Sequence, residues 1–154
     1  MLLLCLAPYI PMKHIPTIAG VLLGLLFLAA SLMFLLELGP KPEAPPKGSL
    51  AEHFWAAFGP TGYMKFIKIC ELVGAVLVAI PRTRTIGLLI LAPIVANIFA
   101  FHVYLTDGSG LTEPMVLAAG SLTVIVLLCE LPKLCGLMHG TAGSGSGGAG
   151  KKPS

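Results

Sequence analysis

Charge is scarce in this sequence. Only 11% of its 154 residues are Asp, Glu, Lys or Arg, whereas 56% are hydrophobic, and the mean hydropathy is +0.91. Soluble domains carry about 25% charged residues, and a chain this apolar has too little polar surface to cover itself in water. A soluble globular fold is excluded, and the sequence reads as an integral protein of the lipid bilayer. The net charge of +3 is spread over loops and the C-terminal tail. No basic stripe with interleaved aromatics is present, which excludes a nucleic-acid partner. Cysteine is sparse and badly spaced for chemistry. Cys5, Cys70, Cys129 and Cys135 form no CxxC pair, and a six-residue spacing puts Cys129 and Cys135 on different helix faces. That argues against a disulfide framework or a zinc site and for cysteine as a small apolar side chain. Catalytic signatures are missing as well. The chain has no phosphate-binding loop, dinucleotide fingerprint, GxSxG, HExxH or haem CxxCH. It reads as a protein without a reaction of its own.

Long apolar runs are what the chain does have. Four of them, at about 15–38, 62–80, 85–105 and 114–131, are each near the ~20 residues that cross a bilayer at ~1.5 Å per residue. The expected fold is all-α, a four-transmembrane-helix bundle over 14–138. Residues 1–13 are a short apolar lead-in broken by Pro8 and Pro11, without the basic region of a signal peptide. Residues 139–154 are Gly/Ser-rich and are expected to be disordered. Gly39-Pro40, Pro81 and Pro132 are the expected helix stops.

The links carry their own signals. Residues 39–60 are rich in proline and then turn aromatic and amphipathic, with Trp55 and Tyr63 suited to a membrane interface. Residues 81–84 allow only a tight helical hairpin. With four spans, one side carries Lys13, Arg82, Arg84, Lys133, Lys151 and Lys152, against Lys41, Lys47 and Lys65 on the other. That asymmetry places both termini in the cytoplasm, with the plasma membrane as the expected location. Small residues mark helix contacts: Gly20 and Gly24 in the first run, Gly74, Ala75 and Ala79 in the second, Ala118 to Ser121 in the fourth.

Glu71 is the residue that most needs an explanation. It lies inside the second run, with Lys68 one helical turn before it on the same face. An ionisable pair in lipid marks a functional site by default, although a structural pair that fixes helix packing is the slightly stronger reading. Eight residues from Tyr63, Glu71 should lie about 12 Å down its helix, and Asn97 should lie at a similar depth in the third run. His102 is nearer the outer surface. Lys68, Glu71, Asn97 and His102 are thus candidates to line an outer-half cavity, in one polar cluster with Glu37 and Lys65. Asn97 alone is more often an interhelical hydrogen-bonder than a ligand group. His102 suits an interfacial hydrogen bond or a quinone or proton ligand, and as a lone histidine it is a poor metal ligand. Pro93, inside the third run, is expected to kink it and free the carbonyl of Leu89.

The central hairpin is similar to a known family. The stretch Thr61-Gly62-Tyr63-Met64-Lys65-Phe66-Ile67-Lys68-Ile69-Cys70-Glu71-Leu72-Val73-Gly74 looks like the second helix of DoxX-like membrane proteins. The continuation through Ile80-Pro81-Arg82, Leu91-Ala92-Pro93-Ile94-Val95-Ala96-Asn97-Ile98 and Phe101-His102 resembles that family's third helix. The resemblance covers about residues 15–130. It implies a compact four-helix membrane bundle acting as a subunit or scaffold beside a quinone-linked redox system, with quinone as the cofactor and a redox protein or a second copy of the chain as the partner. A small membrane transporter or ligand-binding protein using the same cavity is the alternative.

Overall fold

Proline and a left-handed residue bracket the first helix. In the computed structural model, which describes residues 14–38 and 44–140, α1 (Ile15–Leu35) has Pro16 in its first turn. There the missing N–H would have had no helical partner, and the fixed φ suits a helix. Glu37 closes α1 at φ 54. The Leu38 N–H reaches back to the Met33 carbonyl at 3.0 Å, and the Glu37 N–H to that of Phe34 at 3.3 Å. This is the two-bond closure usually built on glycine. The helix stops before Gly39-Pro40 because the left-handed turn comes at Glu37. The lead-in 1–13 lies outside the described residues.

A short helix, α2 (Leu50–Phe58), follows the proline-rich link. Ser49 caps it by accepting from the Glu52 N–H at 3.1 Å, while the Glu52 carboxylate accepts from the Gly48 N–H. That reciprocal arrangement satisfies donors left open at a helix start. A single 3-10 turn (Gly59–Thr61) leads through Gly62, at φ 73, into α3 (Tyr63–Ala79). The 80–83 connection is as tight as its length requires. The Thr83 hydroxyl donates to the Leu77 carbonyl at 2.9 Å, and α4 (Arg84–Leu105) begins at once. α4 runs unbroken through Pro93.

α5 (Pro114–Gly140) overruns the expected stop, with Pro132 inside the helix. A proline removes one N–H and crowds one carbonyl, and Lys133 bridges the region by pairing with Glu130 one turn back. The helix includes residues 139 and 140, where the tail was expected to begin, and 141–154 lie outside the described residues.

The four long helices close into a ring: α1 packs on α3 and α5, and α4 packs on the same two. Leu23, Phe27, Ala75, Val78, Leu88, Leu91, Val95 and Val126 fill its centre. Small residues set the approach of α1 to α3. A Cβ on Gly24 would meet the Ala75 carbonyl at 2.7 Å, and one on Gly20 the Val78 carbonyl at 2.9 Å. The outward faces are apolar: Leu22, Leu25, Phe66, Ile69, Val73, Ile86, Leu89, Val124 and Leu128 are exposed. Three helices, α1, α4 and α5, are long and apolar enough to cross a membrane, as an integral membrane protein requires. Only 33%, 22% and 33% of their apolar windows are buried within the protein, so most of that surface faces outward. Among the described residues the structure is all-helical.

Candidate functional site

Glu71 lies at the middle of α3 and is 2% exposed. Its neighbours are set by helix geometry. Lys68, three residues earlier, points along the same face and places Nζ 2.8 Å from Glu71 Oε2. From α1, Ser31 donates its hydroxyl to the same oxygen at 3.2 Å. A carboxylate held by an ammonium and a hydroxyl has the charge-assisted bonds a buried ion needs. Lys68 is fixed from a second direction, with Nζ 5.7 Å from the centre of the Phe34 ring, within cation–π range.

Phe34, Lys68 and Glu71 form one wall of a cavity of about 350 Å³. Ile94, Asn97, Ile98, Phe101 and His102 on α4 form the facing wall, and Phe54 and Trp55 on α2 close the end. The wall on α4 starts one residue after Pro93. All four candidate residues, Lys68, Glu71, Asn97 and His102, meet at this cavity. Glu37 and Lys65 do not: both are exposed, and neither is among the lining residues. Glu37 is carried away by its left-handed turn. Lys65 lies nearly a full turn nearer the start of α3 than Lys68.

Asn97 does not act as interhelical glue. Its side chain is exposed and is bonded to no described residue. His102 is half-buried, and its Nδ1 lies 2.8 Å from the Ser109 carbonyl. A carbonyl oxygen only accepts, so Nδ1 carries the hydrogen, and Nε2 is left as the acceptor of the neutral ring. The 106–111 loop holds this orientation: Thr106 Oγ1 and the Gly108 N–H both bond the His102 carbonyl, at 2.9 and 2.8 Å.

The aromatic roof is continuous. Phe54 packs on Phe101 at 5.2 Å between ring centres, Trp55 on Phe101 at 6.4 Å, and Phe58 on both Phe54 and Tyr63 at 4.9 Å. Trp55 and Phe101 also line a second cavity of about 320 Å³, bounded by Pro45, Pro46, Ser49, Thr106, Asp107 and Ser109. The two spaces share this ring pair as a common wall. Among the described residues, no group of three or more His, Cys, Asp or Glu stands together as a metal site would require.

Sequence reasoning missed two features. Ser31 is fully buried, and its signal was a lone hydroxyl within an apolar run. The second is a buried ionic cluster at the other end of the bundle. Arg84, 3% exposed, places Nη1 3.5 Å from Glu130 Oε1, donates through Nε to the Val78 carbonyl at 3.4 Å and through Nη2 to Thr17 Oγ1 at 3.4 Å. Thr85 Oγ1 and Lys133 Nζ complete the shell of Glu130 at 2.9 and 2.8 Å. The Glu130–Lys133 spacing in an apolar run repeats the Lys68–Glu71 pattern in reverse order, which was the available signal. The cluster ties α1, α3, α4 and α5 together and touches neither cavity.

Comparison with protein-family models, curated proteins and solved structures gives no match for this chain.

Proposed function

We propose that this chain is a DoxX-like integral membrane protein in which all four long helices cross the plasma membrane, with both termini in the cytoplasm. In this reading the α3/α4 cavity binds a quinone-type molecule, and the chain serves as a subunit or scaffold of a quinone-linked redox system. The observation that carries it is the convergence of Lys68, Glu71, Asn97 and His102 on one cavity roofed by aromatic rings. Quinone headgroups are flat, lipid-soluble and bear ring oxygens. Such a ligand matches apolar walls with a few polar groups that fix orientation.

α3 has 17 residues, a helix of about 26 Å, slightly shorter than a ~30 Å hydrocarbon core. Its charges are compatible with crossing. Glu71 is buried and paired, and Lys65 lies in the first turn, where a long side chain reaches the interface. The orientation rests on basic loop residues. Arg84 is buried against Glu130 and drops out of that balance, leaving Lys13, Arg82, Lys133, Lys151 and Lys152 against Lys41, Lys47 and Lys65.

The test is extraction into lipid nanodiscs without detergent delipidation, followed by mass spectrometry of retained small molecules and proteins. A quinone retained near one per chain, or a co-purifying redox protein, is the expected result. A well-folded sample holding neither contradicts the reading.

One observation favours transport as a second reading: Trp55 and Phe101 separate the α3/α4 cavity from the one beside the Pro45 and Asp107 loops. A rotation of these rings would join the two spaces. Flux of a lipid-soluble phenol into liposomes that falls on Glu71→Gln with folding intact supports transport; unchanged flux removes Glu71 from it.

A further inference from the structure

Resting on the cavity-binding reading above, we infer that the site selects a neutral dihydroxy-aromatic molecule, the quinol, over the corresponding quinone. The argument concerns which hydrogen-bonding positions are still open. Both bonds made by Glu71 use Oε2. Oε1 takes none from the described residues. No buried side-chain nitrogen or oxygen among them is sealed without a partner, so Oε1 opens onto the cavity that Glu71 lines. It is a carboxylate oxygen to which no described residue donates.

His102 offers a second acceptor. Its Nδ1–H is committed to the Ser109 carbonyl, so the nitrogen left for a ligand is Nε2, an acceptor in the neutral ring. Lys68 has ammonium hydrogens beyond the one given to Glu71, and Asn97 both donates and accepts. A hydroxyl serves these groups together: it accepts from Lys68 while donating to Glu71. A quinone carbonyl accepts from Lys68 or Asn97 but donates nothing, and it sets its lone pairs against Glu71 Oε1 and His102 Nε2. A buried acceptor left unmet costs more than a bond gained returns.

Charge excludes another class. Lys68 already neutralises Glu71 at 2.8 Å, so a cationic ligand would bring an uncompensated charge into an apolar cavity. The aromatic side chains Phe34, Phe54, Trp55 and Phe101 present surfaces for a flat ring rather than for a flexible alcohol.

The test is calorimetric titration of the full-length protein in nanodiscs with a short-tailed benzoquinone, its quinol, and the quinol dimethyl ether. The ether keeps the ring and removes both donors. The quinol is expected to bind about tenfold or more tightly than either of the others, the size of one charge-assisted bond. Glu71→Gln replaces the open carboxylate with an amide that also donates, and should bring quinol and quinone to near-equal affinity. If that variant fails to fold, His102→Phe removes Nε2 without touching the ion pair and should lower quinol affinity while leaving the ether unchanged. Equal binding of all three molecules, or tighter binding of the quinone, overturns the quinol preference and leaves the cavity-binding reading standing. Binding of none overturns both.

Discussion

Arg84 and Glu130 hold each other across the bundle, with Nη1 3.5 Å from Oε1 and both side chains almost entirely removed from solvent. Removing one partner leaves the other as a buried unpaired ion, at a cost of about 3–5 kcal/mol. Glu130→Gln and Arg84→Met should each lower the unfolding temperature sharply. The pair Arg84→Met with Glu130→Leu should recover much of that loss, because an apolar replacement carries no stranded charge. Lys133 is 60% exposed, and Lys133→Ala should change stability by less than about 1 kcal/mol. Thermal unfolding of the four variants in one nanodisc composition checks this.

Lys68 and Lys65 sit on one helix but should respond differently. Lys68→Met takes the ammonium and the cation–π contact away from a buried carboxylate and should cost about 1–3 kcal/mol. Lys65→Met changes an exposed side chain and should stay within about 0.5 kcal/mol. Equal effects would mean that the Glu71 pair contributes nothing to the fold.

Glu37 closes α1 at φ 54, a conformation that costs a side-chain-bearing residue about 1–2 kcal/mol. Glu37→Gly should therefore stabilise the protein by roughly 1 kcal/mol. A higher midpoint in chemical or thermal unfolding is the expected outcome.

Two glycines make a matched contrast. A Cβ at Gly24 meets the Ala75 carbonyl at 2.7 Å, whereas one at Gly59 meets nothing within 4 Å. Gly59 also has φ −56, open to any residue. Gly24→Ala should push α1 off α3 and destabilise by about 1–3 kcal/mol, while Gly59→Ala should be neutral or stabilising by a few tenths of a kcal/mol.

Helix positions were legible because long apolar runs and their punctuation are strong local signals. The shared cavity of Glu71 and Asn97 was legible for a similar reason: rise per residue along two antiparallel helices places them at one level of the bundle. The misses share a cause. α5 continues through Pro132, which local punctuation marked as a stop, and the Arg84–Glu130 pair joins residues far apart in sequence whose charges look like ordinary span ends. Ser31 reaches Glu71 from a different helix, which no spacing rule on α3 contains. The role of α2 was half legible. Its aromatics suggested an interface, but only tertiary packing turns Phe54 and Trp55 over the cavity.

Trp55 is the single tryptophan of the chain, and it lines the cavity, so its fluorescence reports occupancy directly. Titrating the protein in nanodiscs with a short-tailed benzoquinone should quench that emission along a saturable curve, and Phe101→Ala should weaken the apparent affinity. Quenching that rises linearly with the quinone partitioned into lipid, and that Phe101→Ala leaves unchanged, would contradict a ligand site at Lys68, Glu71, Asn97 and His102.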